Sequence, residues 1–296
     1  MKKVSLTLLS GSIRDFLRAA GAVADSRGVR ACLVGGMVRD LLLGVASTDV
    51  DVVIEEDVFQ TARKLAKQFN AQMTSHEKFR TATLVFKSGL VVDLVTARRE
   101  TYSKGGALPD VVPSVMKDDI LRRDFTINAM AIGLNTGDFG VLYDQAGGFK
   151  DLQAKLIRVL HAASFIDDPT RILRAARYAV RFGFQLDALT QDLLDQAVMM
   201  DVFKSITQPR YFLEFRRILE EPDPVPALDC LASWNAVRYI PYHAQARAQL
   251  IQAGAGGWEE RLAGLLSGLT PSRVQEMLAG FNIPCASKKR IMGARQ

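Results

Sequence analysis

The sequence predicts an α+β protein: a mixed β-sheet with flanking helices, followed by an all-helical remainder. Short apolar runs of strand length alternate with segments of helical periodicity only up to about residue 150. From about residue 151 onwards the apolar residues recur at helical spacing. We therefore expect an α/β head followed by an all-α remainder.

Apolar spacing and turn residues give the expected elements of the head. The expected helices are 12–28, 36–43 and 58–69, and the expected strands are 30–34, 48–54, 71–74, 81–86 and 91–96. Residues 99–118 are rich in Gly and Pro and are expected to form a long loop, which in a compact domain is usually functional or disordered. The later helices are expected at 172–184, 189–199, 211–219, 227–237, 244–253, 258–266 and 271–280.

Composition narrows the classes of function. The 296 residues carry a formal net charge of +6, which modestly favours an anionic partner such as nucleic acid. The three cysteines are far apart and form no C-x-x-C motif, so we expect reduced thiols in a cytoplasmic protein rather than a disulfide framework or zinc site. No run reaches the roughly 18 apolar residues that a membrane span needs, and we expect no membrane partner.

The strand at 48–54 carries two carboxylates on one face. Asp49 and Asp51 are two residues apart, so in a strand they project together, and a divalent cation such as Mg²⁺ would relieve their repulsion. Just upstream, Gly35 and Gly36 lead into a helix with Arg39, which lets backbone N–H groups and a guanidinium approach phosphates. The combination indicates phosphoryl or nucleotidyl transfer, and the alternative is a tight turn beside two solvated carboxylates.

Asp93 lies inside the apolar stretch 90–95, where a carboxylate is costly without a partner. We expect it to join the Asp49 and Asp51 site as a catalytic residue and third metal ligand. The alternative is an ion pair with a nearby arginine such as Arg98.

A third candidate segment is Arg122-Arg123-Asp124-Phe125-Thr126-Ile127-Asn128. Asp124 and Asn128 are four residues apart, so on a helix they would share a face, where they could bind the hydroxyls of a ribose together with Arg122 and Arg123. The alternative is a helix N-terminus capped by Asp124, with the two arginines on the surface.

The segment Asp167-Asp168-Pro169-Thr170-Arg171 places an acceptor and a donor one helical turn apart. The carboxylate of Asp168 and the guanidinium of Arg171 match the base edges of cytosine and adenine, whereas guanine and uracil would leave groups unpaired. In the alternative, Asp168 is only a helix N-cap and Pro169 is the first helical residue.

Four arginines follow at helical spacing, namely Arg171, Arg174, Arg177 and Arg181. Because no acidic residue is interleaved among them, we expect this face to contact an anionic ligand such as a nucleotide or RNA. The alternative is a solvated charged face.

Together these segments resemble the class II tRNA nucleotidyltransferases, a family that includes the bacterial CCA-adding enzymes and poly(A) polymerase. Four stretches carry the resemblance: Gly35 to Gly44 followed by Asp49-Val50-Asp51, then residues 122–131, Asp144 to Leu152, and 167–175. Arg210 with Glu214 is similar to a helix-stabilising motif of the family. The match covers roughly residues 30–220.

The resemblance implies a head, neck and body layout: a polymerase-β-like nucleotidyltransferase head at 1–145, a helical neck with the base-reading motif at 146–221 and a helical body at 222–296. It also implies two Mg²⁺ ions at Asp49 and Asp51, and template-independent addition of C and/or A from CTP and/or ATP to the 3′ end of tRNA. In this interpretation Asp168 and Arg171 recognise the base with support from Asp167. The Asp49 and Asp51 site and the Asp168 and Arg171 pair are then expected to meet across one cleft. A poly(A) polymerase and a non-catalytic RNA-binding relative are the alternatives.

Two features depart from the family pattern. The base-reading motif usually opens with Glu, whereas here it opens with Asp167. The chain stops at residue 296 with a helix just starting, whereas many relatives have a fuller helical body. The 99–118 loop is not obviously deleted, which in this family favours full CCA or terminal A addition over CC addition.

Overall fold

A computed structural model describes residues 2–294. The chain has two compact units, Met1–Thr101 with Pro109–Leu160, and Tyr102–Leu108 with His161–Gln296. Met1 and residues 295–296, which the expected head and body include, lie outside the described residues. The expected division into head, neck and body stays a prediction.

The first unit is built on a seven-stranded mixed sheet with helices against it. Its helices are α1 (Gly11–Asp25), α2 (Gly36–Leu42), α3 (Val58–Phe69), α4 (Met116–Leu121) and α5 (Gly148–Ala154). Its strands are β1 (Ala31–Val34), β2 (Val50–Ile54), β3 (Gln72–His76), β4 (Thr81–Val85), β5 (Val91–Thr96), β6 (Arg98–Thr101), β7 (Asp110–Pro113), β8 (Ala131–Gly133), β9 (Leu142–Tyr143) and β10 (Leu156–Ile157). The strand order in the large sheet is β3-β4-β5-β2-β1-β8-β9.

The centre of this sheet positions the expected carboxylates. β2 and β5 are parallel neighbours, whereas β1 pairs antiparallel with both β2 and β8. The central strands read as apolar runs because helices cover them, and Val50, Val52 and Leu94 are all buried. The expected elements up to residue 96 therefore agree with the structure to within a few residues.

The expected loop at 99–118 is wrong as a single irregular segment. β6 and β7 form a two-stranded antiparallel sheet in which Arg98 lies opposite Pro113, and Met116 begins α4. Each strand is only four residues long, too short for a periodic signal to outweigh the surrounding glycines and prolines. Within 99–118, residues 102–108 belong to the second unit.

The second unit is helical, as expected. Its helices are α6 (Ser164–Asp167), α7 (Thr170–Phe182), α8 (Ala188–Met199), α9 (Gln208–Leu219), α10 (Val225–Ser233), α11 (Ala244–Ala253), α12 (Trp258–Leu265), α13 (Pro271–Gly280) and α14 (Cys285–Gly293), with a short strand β11 (Gln185–Leu186). The last helix, expected to be only starting, instead runs over nine residues, Cys285–Gly293. α7 packs against α9 and α10, and α12 packs against α9, α11 and α14. No helix among residues 2–294 is long and apolar enough to cross a membrane.

Candidate active site

The structure brings the three expected carboxylates of the first unit to one place. Asp49 immediately precedes β2, and Asp51 lies on it, two residues further along. Asp93 on β5 is the register partner of Asp51. Register partners on adjacent strands point to the same face about 4.8 Å apart, so the three side chains share one face of the sheet.

Electrostatics shows that this group lacks compensating positive charge. Burial and then the neighbouring charge of Asp49 raise the pKa of Asp51 to about 6, and Asp93 adds to the effect. The guanidinium of Arg123 opposes the shift without cancelling it. Two oxygen donors in a partly buried, excessively negative environment fit a hard divalent cation such as Mg²⁺, so the residues present suit the ion that the fold implies.

Asp93 is hydrogen-bonded to a threonine and not paired with Arg98. Thr83 Oγ1 donates to Asp93 Oδ1 at 2.6 Å, while Arg98 donates to Glu100. The ion pair with Arg98 is therefore wrong. Among residues 2–294 no group of three or more His, Cys, Asp or Glu side chains is arranged to hold a metal ion, so a direct metal contact of Asp93 stays a prediction.

The two glycines lie at the start of α2, next to the carboxylates. Gly35 has φ of 74°, which disfavours any other residue, and a Cβ there would lie 2.8 Å from Arg123 Nη1 and 3.7 Å from Asp51 Oδ2. Arg39 lies three residues after Gly36, and its side chain is buried. Arg39 donates to Asp40 Oδ1 and, through Nη1, to Asn128 Oδ1 at 2.6 Å. These contacts give Arg39 an internal role, and its contact with a triphosphate stays a prediction.

Asp124 and Asn128 lie together as expected, but not on a helix. Asn128 Nδ2 donates to Asp124 Oδ1 at 2.9 Å, and both residues are buried. The helix expected to begin at Asp124 is wrong, because the chain makes only one 3₁₀ turn at Thr126–Asn128 before β8. Through Arg39 this pair is connected to α2, so one hydrogen-bonded chain joins the two expected nucleotide-binding segments.

Arg122 and Arg123 contact a residue that the sequence reasoning missed. Asp119 on α4 is fully buried and bonds both arginines, through Oδ1 to Arg122 and through Oδ2 to Arg123. Arg122 also donates to Glu100 Oε1 at 2.9 Å. Spacings of three and four residues from Asp119 to the two arginines could have shown this contact in the sequence.

The second unit contains the expected base-reading segment. Asp168 Oδ1 accepts from Thr170 N (3.1 Å), Thr170 Oγ1 (2.7 Å) and Arg210 Nη2 (3.2 Å). Asp168 thus accepts from the first residue of α7, although Pro169 occupies the N-cap position itself. Its other oxygen, Oδ2, makes none of the hydrogen bonds found among residues 2–294, so these contacts do not use the whole carboxylate.

Arg171 is buried, and its Nη1 donates to Ser164 Oγ at 2.6 Å. Asp167 lies 3.9 Å from His161 Nδ1. Burial and then the charge of Arg171 lower the pKa of this histidine. The reading of a base by Asp168 and Arg171, with support from Asp167, stays a prediction.

Residues 102–108 pack onto this segment within the second unit. Gly106 N donates to the carbonyl oxygens of Ile166 and Asp167, both at 3.1 Å. Arg210 Nη1 donates to the carbonyl oxygen of Gly106, while its Nη2 holds Asp168. Arg210 therefore connects residues 102–108 to the carboxylate of Asp168.

The arginine face of α7 is not free of acidic partners, which corrects the argument for an anionic ligand there. Arg174 lies 3.5 Å from Glu214, and Arg177 and Arg181 lie 3.4 and 3.7 Å from Glu221. The acids come from α9 and the residues after it, so their absence from the α7 sequence was misleading. Contacts of Arg174, Arg177 and Arg181 with RNA stay predictions.

Known proteins resemble this chain in both sequence and structure. The family described as Poly A polymerase head domain matches residues 31–158, which contain every expected site residue of the first unit. A Thermotoga maritima CCA-adding enzyme solved with tRNA is 33% identical; the match covers 98% of this chain and 72% of that one, with a TM-score of 0.82. The chain belongs to the tRNA nucleotidyltransferase family.

Two curated tRNA nucleotidyltransferases are similar over most of this chain. The A-adding enzyme of Geobacter sulfurreducens is 43% identical over 76% of this chain and 26% of its own length. The A-adding enzyme of Halalkalibacterium halodurans is 38% identical over 80% of this chain and 56% of its own length. The present family member thus spans between about a quarter and just over half of these relatives.

Proposed function

We propose that this protein adds nucleotides to the 3′ end of tRNA without a template, using ATP and/or CTP. The observation that carries the proposal is the group formed by Asp49, Asp51 and Asp93 beside Gly35, with the pKa of Asp51 raised to about 6 by burial and by its acidic neighbours. Such a group is unfavourable for stability and has a direct use in binding a cation and a triphosphate.

Asp49 and Asp51 would hold Mg²⁺, which when bound offsets the charge of the triphosphate and makes the RNA 3′-hydroxyl easier to deprotonate. Arg123, Asp124 and Asn128 would bind the sugar and phosphates, with Arg122 supporting them from its bonds to Asp119 and Glu100. Asp168 with Arg171 would select the base. Backbone N–H groups at Gly35 and Gly36 would approach the phosphates, since neither glycine has a side chain in the way.

Terminal A addition is the finer proposal. The two curated relatives described above are both A-adding enzymes, and a CC-adding relative from Deinococcus radiodurans is 34% identical. The Asp168 carboxylate retains an oxygen that could accept from the amino group of adenine or cytosine. A cytoplasmic location belongs to the same proposal.

Single-nucleotide incorporation tests the proposal. The protein is incubated with Mg²⁺, one labelled nucleoside triphosphate and tRNA ending at the discriminator base, at C or at CC. We expect one A on tRNA ending in CC, and Asp49→Ala or Asp51→Ala should lower the rate by roughly a thousandfold or more while tRNA binding is kept, because cation binding is lost.

Each other outcome has a definite meaning. C addition to the shorter tRNAs would replace terminal A addition by CC or full CCA addition. Long A tails on unrelated RNA would indicate a poly(A) polymerase. Absence of any incorporation, or full activity of Asp49→Ala, would overturn the proposed function.

A further inference from the structure

The buried carboxylate of Asp119 accepts charge-assisted hydrogen bonds from two consecutive arginines, Arg122 and Arg123. Its Oδ1 lies 3.0 Å from Arg122 Nε and 2.7 Å from Nη2, and its Oδ2 lies 3.0 Å from Arg123 Nη2. The side chain of Asp119 has no solvent exposure. A buried carboxylate is strongly unfavourable unless cations surround it, so Asp119 and the two arginines must be ordered together.

The two arginines have different contacts. Arg122 uses Nε and Nη2 on Asp119 and Nη1 on Glu100, so it connects α4 to β6. Arg123 bonds Asp119 through Nη2 alone, and its Nε is buried with no hydrogen-bond partner among residues 2–294. Arg122 is therefore a structural link, whereas Arg123 keeps donors for a ligand.

Arg123 also lies where those donors matter. Its Nη1 is the nearest atom to a Cβ built on Gly35, at 2.8 Å, and Asp51 Oδ2 follows at 3.7 Å from the same position. The charge of Arg123 lowers the pKa of Asp51. An arginine between two acids can pair with either, and a close pair with Asp51 would compete with a cation for that carboxylate.

We propose that Asp119 is a positioning residue: it fixes Arg123 beside Gly35, where the remaining guanidinium donors meet the incoming nucleoside triphosphate, and it keeps Arg123 from pairing with Asp51. This inference rests on the proposed function. Neutralising Asp119 releases Arg123, so both nucleotide binding and divalent cation binding weaken, while tRNA binding does not change.

The experiment compares Asp119→Asn with Asp118→Asn in the full chain. Asp118 is the adjacent carboxylate on α4 and bonds Ser114 rather than an arginine, which makes it a matched control. Dissociation constants for ATP and CTP are measured by calorimetry, Mn²⁺ binding by electron paramagnetic resonance, and KM and kcat with tRNA ending in CC.

We expect Asp119→Asn to raise the dissociation constant and KM for ATP by about tenfold, since one charged hydrogen-bond partner of Arg123 is lost. Mn²⁺ binding should weaken as well, and the KM for tRNA should stay at the wild-type value. Asp118→Asn should match the wild type in all of these. A purely structural role would instead lower the active fraction, and so kcat, with the ATP dissociation constant unchanged; that result would overturn the proposal.

A second variant avoids the risk that Asp119→Asn does not fold. Glu100→Gln weakens the hold on Arg122 and leaves the contact between Asp119 and Arg123 in place. We expect its affinity for ATP to equal that of the wild type, and a tenfold loss would overturn the division of roles between the two arginines. Wild-type incorporation is scored separately, so a failure of the proposed function is seen in the wild type and a failure of this inference only in the variants.

Discussion

At the scale of the residue, the environment of Asp51 lowers the stability of the folded protein. Burial and the charges of Asp49 and Asp93 raise its pKa from the ordinary 3.8 to about 6, so the ionised carboxylate is unfavourable in the folded protein without a cation. Because the folded state binds the proton more tightly than the unfolded state, the site lowers stability above pH 6. This penalty decreases as the pH falls from about 6 to 4.

Asp51→Asn should therefore stabilise the protein while it abolishes catalysis. In chelator at pH 7.5 we expect a gain of roughly 2 kcal/mol in the free energy of unfolding, measured by urea denaturation. The gain should shrink towards pH 4. Asp15→Asn, an exposed carboxylate on α1, is the control and should change nothing. Destabilisation by Asp51→Asn at pH 7.5 would contradict this account.

At the scale of the element, the segment 102–108 is held by backbone contacts that only glycine permits. Gly106 has φ of 70°, and a Cβ there would lie 2.1 Å from Ser205 Oγ and 2.6 Å from Ser205 O. Gly89 has a similar φ of 84° with no atom within 4 Å of the same position. Alanine at either glycine would be strained by the positive φ, but only alanine at Gly106 would also clash with a neighbour. Comparing the two substitutions therefore separates backbone strain from packing.

Gly106→Ala should destabilise the protein by roughly 1–3 kcal/mol more than Gly89→Ala, or release residues 102–108 from Ile166 and Asp167. Thermal unfolding measures the first outcome, and faster proteolysis within residues 102–108 measures the second. Equal melting temperatures together with equal proteolysis rates would show that Ser205 does not constrain Gly106.

The same scale shows what sequence could and could not predict. The elements up to residue 96 and most helices of the second unit followed from local periodicity, and the shared face of Asp49 and Asp51 followed from strand alternation. Asp93 was expected beside them because a carboxylate inside an apolar strand needs a partner. The partners of the arginines did not follow, because Glu214 and Glu221 are about forty residues from Arg174 and Arg177 in the chain. The short strands β6 and β7 were not predicted for a different reason. Four residues give too weak an alternation to outweigh the surrounding glycines and prolines.

At the scale of the whole molecule, the proposed cation-binding carboxylates, Asp49 and Asp51, and the proposed base-reading pair, Asp168 and Arg171, belong to different units of the chain. The proposed function therefore predicts two separable kinds of defect. Substitution of Asp49 removes the reaction itself, whereas substitution of Arg171 changes which nucleotide is accepted.

Arg171→Ala should raise misincorporation of UTP and GTP relative to ATP by about tenfold or more, because a hydrogen-bonding pocket rejects a mismatched base only while its own donors are fixed. Arg171 is buried and bonds Ser164, so Arg171→Lys is the milder companion that keeps the charge but not the planar donor pair. Arg273→Ala, an exposed arginine of the same unit paired with Glu276, is the control. The ratio of kcat/KM values for the four nucleotides on tRNA ending in CC is measured. If that ratio is unchanged in both Arg171 variants while the wild type is active, base selection does not depend on Arg171, and α7 contributes only structure.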